Sequence, residues 1–334
     1  MWVRAFTVRG IPVPRQAKDR RPGTRRRAAP CEVLVTDWET KTDPAQLGLV
    51  GSWCFYRDRS GTLARTLLEE GFIYPDDLPA RDPAAFAEIE QFVASNEASV
   101  SPGYSTDIQL WPLSRWLQER LYLCGYKHRN RCFVVGFNLG FDLGRCARYW
   151  APARDYYRGG WSLGFWGEFD ERGRWHDLRY HPRLLVKSID PRRTLFAWGG
   201  VKIGDQDEHG RAAPFVDLRT LSFSLTNRSL TLERACGAFG DPYAKRPVRY
   251  GVISTELLAY LREDVAHTAT LFRNCVHELA RHPGIGLEPQ RLFSPATVAS
   301  AYIEAMGYRR PLEKFTALAP KAFGWTGPGR NAPR

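Results

Sequence analysis

Three short stretches hold residues whose types and spacing could do chemistry. In Cys31-Glu-Val-Leu-Val-Thr-Asp37-Trp-Glu39-Thr40, a β-prone run ends in two acids two positions apart. Side chains at i and i+2 of a strand share a face, so Asp37 and Glu39 project side by side. Two carboxylates held that close repel, and a hard divalent ion with oxygen ligands, Mg²⁺ or Mn²⁺, relieves the repulsion. In Val135-Gly136-Phe137-Asn138-Leu139-Gly140-Phe141-Asp142, a strand hands over to a helix that begins near Asn138, which puts Asp142 in its first turns. Sites in open α/β sheets form at such junctions. An aspartate there either joins the first two acids as a ligand or faces the positive end of the helix dipole. The third stretch is Ile253-Ser-Thr-Glu-Leu-Leu-Ala-Tyr260-Leu-Arg-Glu-Asp264. Ser254 or Thr255 can cap a long helix on which Tyr260 and Asp264 lie one turn apart on one face. A carboxylate there can hold metal while the phenol positions a water.

The elements that must position these residues follow from the surrounding pattern. Glu32 to Tyr56 reads as a hairpin, with a turn at Arg57-Asp-Arg-Ser-Gly61. Ala84 to Ala94 is an amphipathic helix and Ser95 to Gln109 a polar loop. Trp111 to Gly125 has apolar positions at helical spacing and ends in glycine, so it predicts a helix with a C-terminal cap. Arg131 to Gly136 is a second buried strand, and this order points to an α/β sheet with mixed pairing. Trp161 to Asp217 is β-rich, with turns at Asp170 to Gly173, Asp190 to Arg193 and Asp205 to Gly210, as in a meander inserted in or extending the sheet. Its acids read as hairpin-turn residues, Asp205 and Asp207 included. A strand over Ala213 to Leu218 and a helix over Ser229 to Phe239 complete the pattern.

With 334 residues and 43% hydrophobic content the chain can bury a substantial core. It has no apolar run near the roughly 20 residues of a membrane span, and its first residues lack the apolar segment of a secretory signal, so a cytoplasmic protein without a membrane partner is expected. Seven scattered cysteines, without a Cys-x-x-Cys pair, fit reduced thiols rather than a disulfide framework or a zinc site. His277-Glu-Leu-Ala-Arg-His282 misses the zinc-protease spacing by one, and His267, His277 and His282 are expected on the surface or in packing. The net charge of +12 is concentrated at the ends: Met1 to Ala29 holds nine basic residues against one acid, and Arg309 to Arg334 six against one. Such ends either grip a phosphate backbone or serve as solubilising tails.

Taken in order, Asp37-x-Glu39, Asn138-x-x-Phe141-Asp142 and Tyr260-x-x-x-Asp264 resemble the three motifs of the DEDDy 3′–5′ exonucleases. The likeness is closest to the exonuclease domain of family B DNA polymerases of the protein-primed phage and linear-plasmid type. Asp37-Trp-Glu-Thr40, Asn138-Leu-Gly-Phe-Asp142 and Lys245-Arg-Pro-Val-Arg-Tyr250 running into Tyr260 and Asp264 all look like that subgroup, over residues 31 to 310. The resemblance implies a ribonuclease H-like (DnaQ-like) mixed sheet flanked by helices, with a β-hairpin or meander insertion. It further implies proofreading-type removal of nucleotides from the 3′ end of single-stranded DNA. By position, Asp37, Glu39, Asp142 and Asp264 would bind two divalent ions, Mg²⁺ or Mn²⁺, and Tyr260 would orient the attacking water. Thr40, Asn138 and Phe141 would hold the DNA end, Phe141 by stacking on a base. Asp217 has a family counterpart as a structural strand residue.

The expected organisation is a basic arm over 1–30, the exonuclease domain over 31–282, and a helical segment over 283–334 that resembles the start of the connection to a polymerase palm. Nothing after Asp264 offers a palm carboxylate pair, so the chain reads as a stand-alone exonuclease or as the first domain of a polymerase, with a separate polymerase subunit or a terminal protein as potential partners. A nucleic-acid-binding or assembly module with the same fold, and an RNA-trimming enzyme with the same chemistry, are the alternatives. Nothing in the residues reads a 2′-hydroxyl.

Overall fold

The computed structural model describes residues 32–58, 65–101, 103, 106–127, 132–203, 206–208, 211–282 and 287–306. The basic arm, the end of the chain beyond 306, the tip of the turn after Asp58 and the side chains of Asp205 and Asp207 lie outside the described residues.

The first elements are strands β1 (Glu32–Thr40), β2 (Gly48–Asp58) and β3 (Arg65–Tyr74), then helices α1 (Leu78–Arg81) and α2 (Pro83–Ser95). β1 and β2 form the expected antiparallel hairpin, and β3 adds a third antiparallel strand. β2 runs on to Asp58, so Arg57 and Asp58 belong to the strand and not to the turn expected there. Strand β4 (Gln109–Pro112) pairs parallel with β3 and leads into α3 (Leu113–Trp116) and a π-helical run, Leu117–Lys127. This corrects the single helix expected over Trp111 to Gly125: Trp111 lies in β4, and the winding continues past Gly125 to Lys127. Gly125 is buried inside it, its carbonyl accepting from Trp198 Nε1 at 2.7 Å. Wide turns free carbonyls from the usual ladder, and here an indole uses one.

Next come β5 (Cys132–Gly136) and α4 (Leu139–Cys146), as expected from the apolar run and its handover. The insertion starts earlier than expected, at β6 (Tyr149–Pro152), and continues through β7 (Trp161–Gly164), β8 (Gly167–Phe169), β9 (Trp175–Asp177), β10 (Leu184–Asp190), β11 (Arg193–Trp198), β12 (Val201–Ile203), β13 (Gln206–Glu208) and β14 (Arg211–Ala212). Then follow β15 (Phe215–Asp217), α5 (Leu218–Thr226), α6 (Leu232–Ala238), α7 (Thr255–Ala280) and α8 (Pro295–Ala305). The α6 helix is shorter than the Ser229 to Phe239 expected, because Thr231 caps it by accepting from the Arg234 N–H.

The fold is mixed α/β. Its main sheet has six strands in the order β15-β5-β1-β2-β3-β4, with β1, β5 and β15 mutually parallel. A second sheet, β14-β11-β10-β7-β6, is built from the insertion. β5 lies between two parallel neighbours and is buried throughout, which is why it reads as an unbroken apolar run. On one face of the main sheet, Leu34 and Trp38 pack with Trp53, Trp116 and Trp198 against the π-helical run, α4 and the inserted sheet. On the other, Val33 and Val35 pack with Val216, Val265, Ala269 and Phe272 under α5, α6 and α7. No described helix is long and apolar enough to cross a membrane.

Candidate active site

Alternation along β1 decides which way its acids point. Val33 and Val35 face α7, so Asp37 and Glu39, in the same phase, continue that face beyond the apolar part of the strand. Between them Trp38 points the other way and lies flat on β2. A Cβ at Gly51 would sit 2.6 Å from the Trp38 ring, so only glycine leaves room. At the end of β5 the chain crosses close over β1: a Cβ at Gly136 would meet the Thr36 carbonyl at 3.0 Å and the Leu139 side chain at 2.9 Å. That close crossing brings α4 over the carboxyl ends of the parallel strands. Asn138 makes the turn in the left-handed region, at φ 69°, a conformation asparagine tolerates better than most residues. Its N–H donates to Asp217 Oδ1 at 2.9 Å.

Asp217 does a structural job. Its carboxylate caps α5, accepting from the Arg219 N–H at 3.1 Å and from the Thr220 hydroxyl at 3.1 Å. Burial raises its pKa, and these hydrogen bonds work against the rise.

Asp142 is different. It is buried in the first turn of α4, and its Oδ2 has no hydrogen-bond partner. Burial pushes its pKa well up, and the charges of Asp37, Asp217 and Glu39 push it further. Asp37 is raised by burial, then by Asp264 and Glu39, with Lys245 opposing. Glu39 is pushed up to about 7 by burial and by Asp264, again with Lys245 opposing. A buried polar oxygen without a partner costs about 1–3 kcal/mol, and more if charged. Clusters of mutually repelling buried carboxylates mark sites rather than stable packing.

α7 supplies the remaining members. Ser254 caps it, accepting from the Leu257 N–H at 3.3 Å, and Leu257, Leu261, Val265, Phe272 and Leu279 form its core-facing stripe. Tyr260 and Asp264 are both buried on that helix. The Tyr243 hydroxyl donates to Asp264 Oδ1, and the Lys245 ammonium sits 3.0 Å from Oδ2. Lys245 also donates to the Tyr260 oxygen at 2.5 Å, and Tyr250 donates to it at 3.4 Å. Burial, the Tyr250 hydrogen bond and the Asp264 charge hold the Tyr260 phenol above its ordinary range, so it stays protonated at neutral pH.

Asp37, Glu39, Asp142 and Asp264 are thus coupled through their charges, and Tyr260 adjoins Asp264. Asn138 and Phe141 line a neighbouring cavity of about 530 Å³ under the inserted sheet, where the Arg145 guanidinium lies 4.6 Å from the Phe141 ring centre. Thr40 ends β1 after a bulge between Glu39 and Thr40. Tyr243 was not legible as a site residue, and Lys245 carried no assigned role. Both lie on an irregular segment, where periodicity offers no signal. His267 fits the packing expectation: Nδ1 is 2.7 Å from Asp241 Oδ2 and the ring stacks on Tyr243. His282 bonds the Tyr302 hydroxyl.

Among the described residues, no group of three or more His, Cys, Asp or Glu side chains stands close enough to enclose a metal ion as it is. The donor chemistry nonetheless fits a hard divalent cation. Asp142 Oδ2 is orphaned, three carboxylates are raised by burial and then by one another's charge, and the Asp264 oxygens each accept one protein hydrogen bond, from Tyr243 and from Lys245, which leaves lone pairs on both. Compared with known proteins, the chain matches no family model, no curated protein and no solved structure.

Proposed function

We propose that the chain is a divalent-metal-dependent nuclease that releases nucleotides from the 3′ end of single-stranded DNA. The observation that carries this reading is the buried Asp142 oxygen without a partner, beside Asp37, Glu39 and Asp217, with Asp264 acting in turn on Asp37 and Glu39. The motif order along the chain supports it, and the mixed sheet with three parallel strands and an antiparallel extension is compatible with a ribonuclease H-like fold. Asp37, Glu39, Asp142 and Asp264 would hold two ions, Mg²⁺ or Mn²⁺. Such ions, when bound, activate a water and steady the leaving oxygen of an in-line displacement.

The chain's own residues do the rest. Tyr260 cannot act as a phenolate base, because its pKa is raised. Its role is to orient water. Lys245 fixes its oxygen from one side, and the weaker, half-exposed Tyr250 is the partner a water can replace. A water donating one hydrogen to that oxygen has a lone pair turned toward a phosphorus. Lys245 also lowers the pKa of Asp37 and Glu39, which favours their charged, ion-binding forms. Asn138 and Phe141, in the adjacent cavity, would receive the terminal nucleotides.

The test is digestion of 5′-labelled single-stranded DNA, 3′-recessed duplex and RNA with Mg²⁺ or Mn²⁺. Stepwise shortening of DNA from the 3′ end supports the assignment. Binding without turnover supports the assembly-module alternative, and preferential shortening of RNA the trimming one.

A further inference from the structure

The cavity next to the acids does not end at Phe141. Its far wall is the edge of the inserted sheet, and it is lined there by Trp150 and Trp161. In the β6–β7 ladder Trp150 pairs with Leu163 and Pro152 with Trp161, so the two indoles are diagonal neighbours on one face. Their ring centres are 6.0 Å apart, in an edge-to-face arrangement. Buried Leu163 fixes this face against the core, yet Trp150 is 61% exposed and Trp161 52%. Tyr156, 75% exposed, lies on the loop between β6 and β7, edge-to-face with Tyr157 and with Lys187 Nζ 5.8 Å from its ring centre.

Two large exposed indoles on one rim, with a third exposed aromatic on the loop that joins their strands, need a reason, because exposed apolar patches of this kind mark interaction surfaces. The charge around them says what they meet. Arg145 lines the same cavity and Lys187 stands beside Tyr156; they donate to Gln46 Oε1 and to the Tyr156 carbonyl, and among the described residues neither pairs with a carboxylate. This contrasts with Arg174, Arg183 and Arg193 elsewhere in the insertion, each of which has an aspartate partner. Cations that no carboxylate neutralises, set beside aromatic faces, form the standard surface for a single strand, stacking bases and tracking phosphates. A protein partner would be expected to bring carboxylates to match, but the row starts in the cavity that holds Phe141 and Asn138.

We propose that Trp150, Trp161 and Tyr156 form a stacking track for the single strand upstream of the 3′-terminal nucleotides. This rests on the nuclease reading, and it extends the strand's contacts from the α4 cavity across the inserted sheet. The occupant is the DNA chain itself, held without sequence preference, since every base has a π-face.

The experiment measures fluorescence anisotropy of labelled oligothymidylates of 3 and 12 nucleotides in EDTA, where no cleavage occurs. The full chain is compared with the double variants Trp150→Ala/Trp161→Ala and Trp150→Phe/Trp161→Phe. The wild type is expected to bind the 12-mer at least tenfold more tightly than the 3-mer. The alanine pair should lose roughly 10- to 100-fold on the 12-mer, the scale of removing one or two base stacks, and much less on the 3-mer, so that the length dependence shrinks. The phenylalanine pair should keep most of the length dependence. Both tryptophans are exposed, so circular dichroism should show all variants folded. An unchanged length dependence in the alanine pair overturns the track while leaving the nuclease reading standing, provided the wild type cleaves DNA. If the wild type neither binds nor cleaves any oligonucleotide, both fail together. Sedimentation velocity that shows a dimer lost only in the alanine pair assigns the row to self-association and also overturns the track.

Discussion

Two acid-rich regions of this chain look alike in sequence and are electrostatic opposites in the structure. In the insertion, Asp170, in the turn between β8 and β9, accepts hydrogen bonds from the Arg174 and Arg172 N–H groups and from the His176 and Arg174 side chains, which pull its pKa down to about 2. Burial raises Asp190, but the Arg192 N–H and the Arg193 guanidinium outweigh it and leave its pKa lowered. Asp177 accepts from the Trp175 indole and the Arg183 guanidinium. Asp37, Glu39 and Asp142 have no arginine partner of this kind among the described residues, their pKa values are raised, and one oxygen is orphaned. An aspartate in a tight turn is satisfied by its own neighbours in sequence. The site's aspartates come from elements far apart in the chain and meet chiefly each other, so something else must satisfy them.

The comparison breaks most directly on cleavage. Asp37→Ala with Glu39→Ala should reduce the rate by roughly 1000-fold or more, since it removes two of the four proposed ion ligands. Asp170→Ala should leave it within about twofold, because that acid only organises its own turn. Single-turnover digestion of a 5′-labelled strand measures both, and equal rates in the two variants would erase the distinction.

Tyr260→Phe is the next largest effect. If the phenol positions a water, the rate should fall about 10- to 1000-fold while ion and DNA binding stay near wild type. Asp264→Ala should instead lower ion affinity and rate together. Calorimetry and single-turnover kinetics on the two variants separate the roles. Full-rate cleavage by the phenylalanine variant would make Tyr260 a packing residue.

The opposite pKa directions also set opposite pH dependences for stability. Glu39 holds its proton up to about 7 in the folded protein against 4.5 unfolded, so the folded state binds more protons in that window. Stability of the metal-free protein should therefore fall as pH rises from about 4.5 to 7, by an order of 2 kcal/mol for this group. Asp37 and Asp142 act in the same direction. Asp190, with a lowered pKa, contributes stability at neutral pH that is lost only as acid protonates it. Thermal melts in EDTA across pH 4 to 8 should show the decline, and Glu39→Gln should flatten it. A melting temperature that rises steadily over the same interval would contradict the repulsive cluster.

The smallest effect belongs to the turns. Asp190→Asn should cost about 1 kcal/mol or less, the scale of a partly exposed ion pair. Urea unfolding would reveal a larger loss if the hairpin depended on it.

Much of this was legible in the sequence because local rules govern it. The β1–β2 hairpin, α2, β5 and the capped α7 follow from alternation, helical spacing and cap residues, and the five acid and phenol positions follow from residue type and order. Elements that depend on distant partners escaped. β3 carries Glu69-Glu70-Gly71 in its middle, which spoils its strand pattern, and buried Glu70 is satisfied by Arg262, 192 positions away, at 2.7 and 3.0 Å and by the Ser99 N–H. α5 alternates Leu, Ser and Phe as a strand would, yet the Asp217 cap starts a helix. Lys245 and Tyr243 reach Asp264 from an irregular segment whose path only tertiary packing sets.

The central claim is that these carboxylates form a cation site, and titration of Mn²⁺ into metal-free protein at pH 7.5, followed by calorimetry and by the melting temperature, tests it most directly. The account predicts saturable binding that raises the melting temperature, is much weaker at pH 5 where Glu39 is protonated, and disappears in Asp37→Ala/Glu39→Ala while surviving in Asp170→Ala. No saturable binding in the wild type, or binding unchanged by the double substitution, would contradict it.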